Sequence, residues 1–358
     1  MLKKAAALFL VCGGIATWVG CGTTSSRYLY AAIPASSEIV AYREDPNSGV
    51  LTTLSVSPIL AGQGVESLAM HPSGKFLYAA NSGATPQGNI SLYTISKTGT
   101  LTEVTPRTTT GSVPTLLTMD SAGSFLYVAN SGSLDISVFS IDASSGALTQ
   151  VGSNFPIGIV AMNMKLSPSD NFLYVTGEGS TGFIEVFPVN KGVLGTPVTG
   201  SPFQTGDDPF GLAIDSAGKF LYTADKLHST ISEFTINSDG SLTALQNSPI
   251  GQSYIAPVSL LIEKTGKYLY VANQGSTNLS AYTIASDGGL TLLGSSPFGT
   301  GTNPSVIASD VSGKFLFVGN QGSSTSVQSF ALNPNSGTLT SVQTYTVPGT
   351  ATSIAITP

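Results

Sequence analysis

The hydrophobic pattern of this chain repeats seven times. A short, almost continuously apolar run, which reads KFLYAAN at residues 75–81, returns with small changes along the sequence. Successive copies start 47 to 49 residues apart, at Arg27, Lys75, Ser124, Asn171, Lys219, Lys267 and Lys314. Self-similarity at such a period is typical of solenoids, propellers and related arrays.

Each repeat predicts four β-strands. The first resembles residues 65–70 and is often entered through a proline such as Pro114 or Pro209, which is tolerated at the first position of a strand. The Phe-Leu-Tyr run follows, and its lack of alternation predicts a strand buried on both faces. A third strand carries an aromatic residue three positions after an aliphatic one. The fourth opens with Gly-x-Leu, where a hairpin turn requires a glycine with positive φ.

Four antiparallel strands repeated seven times predict an all-β fold, a seven-bladed β-propeller of four-stranded antiparallel blades over residues 27–358. The terminal repeats resemble the central ones, whereas a solenoid needs polar capping repeats. Residues 351–358 match the strand that precedes each Phe-Leu-Tyr run, and the copy at Arg27 lacks such a predecessor. We therefore expect the C-terminal strand to complete the N-terminal blade and close the ring.

Residues 1–21 have the pattern of an export signal. A basic head with Lys3 and Lys4 precedes an apolar run that ends at Val19 and is too short to span a bilayer. The following Gly20 and Cys21 resemble a bacterial lipobox, which implies lipidation of Cys21, with residues 22–26 as a short tether. The expected location is the cell envelope as a membrane-anchored lipoprotein. Plain cleavage, which would give a periplasmic or secreted protein, is the alternative.

Composition narrows the possible functions. Both cysteines lie in the leader, so the body must be held by its hydrophobic core without disulfides. Charged residues make up 9% of the chain and the net charge is −6, which argues against a nucleic-acid partner. The GxGxxG motif at 177–182 precedes a predicted strand and not the helix that a phosphate site needs. No motif indicates a cofactor, and nucleophile–base catalysis has few candidates.

The loops of blades four and five carry carboxylates, a lysine and a histidine where the other blades have Ser, Gly, Asn and Gln. We predict that these loops meet at the mouth of the propeller and bind a ligand, with carboxylates that could accept sugar hydroxyls or hold Ca²⁺. His228 and Asp225 are the candidate catalytic pair. The alternative is a solvated patch of mutual salt bridges. The predicted ligand residues are Glu178, Asp207, Asp208, Asp225, Lys226 and His228.

The repeat, which reads FLYVANSGS at 125–133, resembles the bacterial lactonase family of seven-bladed propellers, which includes 6-phosphogluconolactonases, and the YVTN repeat of surface propellers. The resemblance implies that enzymatic members place His or Arg just after the proline that enters the innermost strand. Those places hold Thr115, Phe210, Val258 and Ser305 in this chain. His71 lies at the opposite end of such a strand, where a structural role is expected.

These observations favour a binding or interaction module at the cell envelope, with a small carbohydrate, a polysaccharide or an envelope protein as its partner. The alternative is a lactonase-type hydrolase acting on a sugar lactone such as 6-phosphogluconolactone. A structural or adhesive surface protein is a third class, supported by the YVTN-like repeat alone.

Overall fold

A computed structural model describes residues 26–84, 86–178, 181–322 and 325–358, with Glu178 described by its backbone alone. The predicted leader and Cys21 lie outside these residues and stay predictions. Within them the only helices are two short 3-10 turns, Pro34–Ser36 and Gln274–Ser276. Nothing helical in the described ranges is long and apolar enough to cross a membrane.

Seven antiparallel sheets of four main strands form the blades, as predicted. The innermost strands are Ser353–Ile356, Val65–Met70, Pro114–Met119, Ala161–Leu166, Pro209–Ile214, Pro257–Ile262 and Pro304–Ser309. The second strands are Arg27–Ile33, Phe76–Asn81, Phe125–Asn130, Phe172–Glu178, Phe220–Asp225, Tyr268–Asn273 and Phe315–Asn320. We number the blades one to seven in this order.

The outer half of each blade is less regular. The third strands are Glu38–Glu44, Asn89–Ile95, Asp135–Ile141, Gly182–Asn190, Thr230–Ile236, Asn278–Ile284 and Ser326–Leu332. The fourth strands are Leu51–Thr53, Leu101–Thr109, Leu148–Gln150, Val193–Leu194, Leu242–Ala244, Leu290–Leu292 and Leu339–Thr346. Five blades add a two-residue strand beside the third: Ile59–Leu60, Phe155–Pro156, Phe203–Gln204, Ile250–Gly251 and Phe298–Gly299.

The C-terminal strand closes the ring, which confirms the prediction. Ser353–Ile356 pairs with Arg27–Ile33 as the innermost strand of blade one. Beyond the strand, the Tyr28 amide donates to the Thr357 hydroxyl at 2.9 Å. The beginning of the propeller and its C-terminus therefore lie on the same face, which also carries the turns between strands one and two. We call this the base, and the opposite face, where strands two and three are joined, the mouth.

Neighbouring blades meet through one repeated contact between an aromatic ring and a glycine. The glycine of each hairpin between strands three and four has φ between 69° and 90°, as expected. It also packs against the aromatic residue that starts strand two of the preceding blade. A Cβ built on Gly240, for example, would lie 2.3 Å from the Phe172 ring. Both the backbone conformation and the absence of a side chain are therefore required at these positions.

Buried tyrosine hydroxyls reinforce the same junctions. In five blades the tyrosine two residues further along strand two donates to the carbonyl of the next blade's hairpin glycine, as in the 2.7 Å bond from Tyr222 to Gly288. Equivalent bonds run from Tyr30, Tyr78, Tyr174 and Tyr270. Blade seven has Phe317, also fully buried, at this place. The junction between blades seven and one therefore lacks this hydrogen bond.

That last junction instead contains two buried carboxylates and one arginine. Arg27 Nη1 lies 2.7 Å from Asp310 Oδ2 and 3.7 Å from Glu44 Oε1. Asp310 also accepts the Lys314 and Phe315 amides at 2.9 Å, whereas neither oxygen of Glu44 has a hydrogen-bond partner. Burial, with the negative charge of Asp310 beside it, raises the pKa of Glu44 to about 7, and Arg27 offsets only part of this effect.

The missing hydroxyl can be restored by Phe317→Tyr. If the junction between blades seven and one has the geometry of the others, the new hydroxyl should donate to the Gly49 carbonyl and raise the free energy of unfolding by about 1 kcal/mol. Urea unfolding measures this change. Tyr222→Phe is the reciprocal control and should lose a similar amount. A destabilised Phe317→Tyr would show that this junction has no room for the oxygen.

The protonation of Glu44 should make stability depend on pH. The folded-state pKa is about 7, above the ordinary value of 4.5, so the contribution of Glu44 is complete below pH 4.5 and is lost as pH rises through 7. The loss is about 3 kcal/mol at 1.36 kcal/mol per pKa unit. Glu44→Gln should remove this dependence of the free energy of unfolding on pH, and it should be more stable than wild type at pH 8.

Urea unfolding at intervals from pH 5 to pH 8 tests the Glu44 prediction. The matched control is Glu38→Gln, a partly exposed glutamate on the same strand, which should keep the wild-type slope. Equal slopes in wild type and Glu44→Gln would contradict the assignment.

Candidate functional site

The seven innermost strands surround a central cavity of about 660 Å³. Its volume lies within the range of small-molecule sites, about 300–1,000 Å³. The cavity wall mixes apolar side chains, such as Met164 and Val258, with hydroxyl and amide groups, such as Ser131 and Gln274. Within the described wall there is neither a histidine nor an arginine, and the charged residues are Glu66 and Lys165.

One residue in six of the seven blades is displaced towards this cavity at the mouth end. In blades two to seven the pairing of strands one and two skips the residue after the first position, so that Phe210, for example, lies unpaired between Pro209 and Gly211. Such an extra residue re-aims its side chain. The seven residues at this level all line the cavity, and we call them the bulge ring: Glu66, Thr115, Met162, Phe210, Val258, Ser305 and Thr352.

Glu66 is the candidate functional residue that sequence reasoning missed. Thr115, Phe210, Val258 and Ser305 each follow a proline in the sequence. Blade two enters its innermost strand through Gly64 and Val65, so no proline marks the position of Glu66. Burial raises the pKa of Glu66. The Ser82 hydroxyl lies 3.3 Å from Glu66 Oε1 and 3.0 Å from the Gly64 carbonyl. A carboxyl group held in an enclosed cavity with a raised pKa is suited to proton transfer.

Lys165 lies further from the mouth in the same cavity. Its side chain is accessible to water from the cavity, and partial desolvation by the surrounding protein lowers the pKa of its ammonium group. Nζ donates to the Leu212 carbonyl of blade five at 3.4 Å. Lys165 follows Met162 by three residues, which places its backbone about 10 Å beyond the bulge ring at 3.3 Å per residue.

The predicted cluster of blades four and five is only partly brought together. His228 Nε2 lies 3.6 Å from Asp207 Oδ2, and Lys226 Nζ lies 4.8 Å over the Phe210 ring. Asp208 has φ of 57°, and its carbonyl accepts the Lys226 amide at 2.9 Å. Glu178 ends its strand opposite Gly182. None of the five predicted residues whose side chains are described lines the cavity. Asp207, Asp208, Lys226 and His228 instead form a patch at the mouth beside it.

Asp225 must be removed from the predicted ligand site. Its carboxylate is completely buried and accepts hydrogen bonds from Thr223, Thr230 and Ser232 at 2.7–3.0 Å. It therefore cannot contact a ligand or act as the partner of His228. Asp225 occupies the place of Asn273 in blade six, whose amide donates to Ser280 at 3.0 Å. The sequence showed an acid next to a loop, but the register makes it part of a polar ladder between strands two and three.

Two other expectations concern residues outside the cavity. His71 is buried at the base, where its ring nitrogens contact Ser73 Oγ at 2.7 Å and the Gly123 carbonyl at 3.0 Å, the geometry of a structural residue. In the described part of the chain, no three His, Cys, Asp or Glu side chains lie close enough together to hold a metal ion.

Comparison with known proteins identifies the family. A family model described as a lactonase, 7-bladed β-propeller, matches residues 23–162, 162–302 and 257–356. The chain therefore belongs to the lactonase family of seven-bladed β-propellers. A curated relative, the 6-phosphogluconolactonase of Pectobacterium carotovorum, is 25% identical over 201 residues. This match covers 53% of the chain and 59% of the relative, so the chain spans less than two thirds of that protein's length.

Solved structures share the whole fold. The periplasmic gluconolactonase of Pseudomonas aeruginosa has a TM-score of 0.78 at 20% identity, with 93% of this chain and 99% of that chain covered. A proposed 6-phosphogluconolactonase from Bacteroides fragilis has a TM-score of 0.80 at 21% identity, with 94% and 99% covered. At these identities the likeness establishes the fold alone.

The structural role of Asp225 can be tested by substitution. Asp225→Asn should keep the fold, because an amide can donate to Ser232 as Asn273 does to Ser280. Burial raises the pKa of Asp225. The stability that protonated Asp225 contributes is therefore lost as pH rises through that pKa. Asp225→Asn should consequently be at least as stable as wild type at pH 8. Asp225→Ala, which orphans three hydroxyls, should cost about 2–3 kcal/mol.

Thermal unfolding with circular dichroism distinguishes these two variants of Asp225. An Asp225→Asn protein that fails to fold, or an Asp225→Ala protein with wild-type stability, would contradict the structural role.

Proposed function

We propose that this protein hydrolyses the cyclic ester of a sugar acid in its central cavity. The observation that carries the proposal is the position of Glu66, a carboxyl group in the bulge ring of a cavity large enough for one sugar. Membership of the lactonase family supports the reaction type. The curated relative is named a 6-phosphogluconolactonase and a solved one a periplasmic gluconolactonase, which supports a sugar lactone as the substrate.

Glu66 would act as the general base. Ionised Glu66 takes a proton from a water molecule, whose oxygen attacks the carbonyl carbon of the lactone. The ring carbon–oxygen bond then breaks, and Glu66 returns the proton to the departing ring oxygen, which becomes a hydroxyl. The Ser82 hydroxyl has one proton, and the Gly64 carbonyl is its closer acceptor. The Ser82 oxygen can therefore accept a hydrogen bond from Glu66 while Glu66 holds the proton.

The remaining wall of the cavity suits a sugar. Gln274 Nε2 donates to Gln321 Oε1 at 3.0 Å, which leaves other donors and acceptors of both amides for sugar hydroxyls. Phe210, Val258 and Met162 of the bulge ring present apolar surface to the C–H face of a ring. The combination of apolar walls and a few polar groups is typical of small-molecule sites.

A carbohydrate-binding module without turnover is the second candidate. It is favoured by the described cavity wall, which lacks the His and Arg side chains expected of enzymatic relatives. The same cavity would hold the sugar, and only the hydrolysis measurement separates the two functions. With the exported location that the leader predicts, either function would serve the cell envelope.

The decisive variant is Glu66→Gln, which keeps the size of the side chain and removes the base. We expect the rate of gluconolactone hydrolysis, monitored by the release of protons, to fall by about 10²–10⁴-fold. Because burial raises the pKa of Glu66 and the ionised form is the base, wild-type kcat/KM should fall on the acid side, with a midpoint above that of an ordinary glutamate.

Glu185→Gln is the matched control for the loss of activity. Burial also raises the pKa of Glu185, but this glutamate lies on the third strand of blade four, outside the cavity wall. It should hydrolyse the lactone at the wild-type rate. Unchanged turnover in Glu66→Gln would reject Glu66 as the base. A wild type that binds the sugar without turnover would favour the binding module.

A further inference from the structure

Lys165 is a charged group of the cavity that the proposed hydrolysis does not use. The residue at its level in each blade faces the central aromatic of strand two, since Lys165 pairs with Tyr174 as Ala213 pairs with Tyr222. The other six blades have uncharged residues at this level: Ala69, Thr118, Ala213, Leu261, Ala308 and Ala355. The cation is therefore a feature of blade four and not of the repeat.

The ammonium group of Lys165 is incompletely satisfied. It has three N–H donors, and the Leu212 carbonyl at 3.4 Å accepts at most one. Among the described residues, no carboxylate lies within the 4.0 Å of Nζ that would make a salt bridge. Two donors therefore remain for water or for a bound molecule in the cavity.

We propose that Lys165 makes the inner part of the cavity a binding site for the carboxylate of a sugar acid. The ammonium group and an anion attract each other more strongly in a cavity lined by protein than in bulk water. A carboxylate can also accept both remaining N–H groups as charge-assisted hydrogen bonds. Desolvation disfavours the charged form of Lys165, as its lowered pKa shows. A bound anion would stabilise that charged form.

The choice of ligand rests on the proposed function, because opening a sugar lactone produces a sugar acid. Glu66 at the bulge ring and Lys165 beyond it give the cavity opposite charges at two levels. A sugar acid is thus held with its carboxylate away from Glu66. A sugar acid bound in this way occupies the cavity that the lactone needs, so it should inhibit the reaction in competition with the lactone.

Isothermal titration of the folded chain 22–358 with gluconate at pH 6.5 tests the site, and glucose is the uncharged probe. Gluconate should bind and glucose should bind at least about tenfold more weakly, the difference expected for one charge-assisted contact. Lys165→Met should lose about tenfold in gluconate affinity, whereas Lys165→Arg, which keeps the charge, should retain it. Affinity should also fall as pH rises and Lys165 loses its proton.

Lys264→Met is the matched control, because Lys264 Nζ also donates to a carbonyl of the next blade, Val311 at 2.9 Å, but lies on the exposed base. It should bind gluconate like wild type. The inference is overturned if Lys165→Met binds gluconate normally, if Lys165→Arg fails to bind, or if glucose binds equally well. Failure of the proposed hydrolysis is seen separately, as Glu66→Gln should abolish turnover but keep gluconate binding.

Discussion

The ring depends on the contact between an aromatic side chain of one blade and the hairpin glycine of the next. Each blade is a separate sheet, so side-chain contacts, of which this one is repeated at every junction, fix its angle and distance relative to its neighbours. The Phe172 ring occupies the space that a side chain at Gly240 would need, and neither residue can change alone. Repetition of this contact at all seven junctions explains why the aromatic and the glycine recur in every repeat of the sequence.

One junction differs in chemistry because it joins the two ends of the chain. The peptide crosses all seven junctions, but only in blade one is the innermost strand, Ser353–Ile356, held to the second strand by hydrogen bonds without a connecting turn. Phe317 has replaced the tyrosine there, and Arg27 is shared between Asp310 and Glu44. The stability of this junction therefore depends on the protonation of a single glutamate, whereas the other junctions depend on packing and, in five of them, on the tyrosine hydrogen bond.

The fold could be predicted from the sequence because the constraints that produce it repeat. Blade number, strand order and closure by the last strand all follow from the spacing of the Phe-Leu-Tyr runs. The candidate site could be predicted only in part, because the type of residue that a blade contributes to the bulge ring varies around the propeller. Glu66 was missed because blade two enters its strand without proline, and Lys165 because it lies inside a strand with no motif around it.

Register also decided which polar residues are accessible. Asp207 and Asp225 both border the mouth in sequence, but Asp207 contacts His228 near the surface whereas Asp225 is completely buried. A pattern of residue types does not show this difference, since Asp225 takes a position that is Asn in four other blades: Asn81, Asn130, Asn273 and Asn320. The bulge ring is similarly invisible in the sequence, because its geometry arises from the pairing of two strands.

The position of the chain ends has a consequence for how the molecule can be held. The propeller begins at the base, where the Tyr28 amide donates to Thr357. A support attached ahead of Arg27 would therefore hold the molecule on the side opposite the mouth. The entrance would then point into free solution, and a diffusing sugar would reach it unobstructed. The same geometry allows the purified protein to be immobilised through its N-terminus, on a bead or a sensor chip, with its cavity open to the flowing sample.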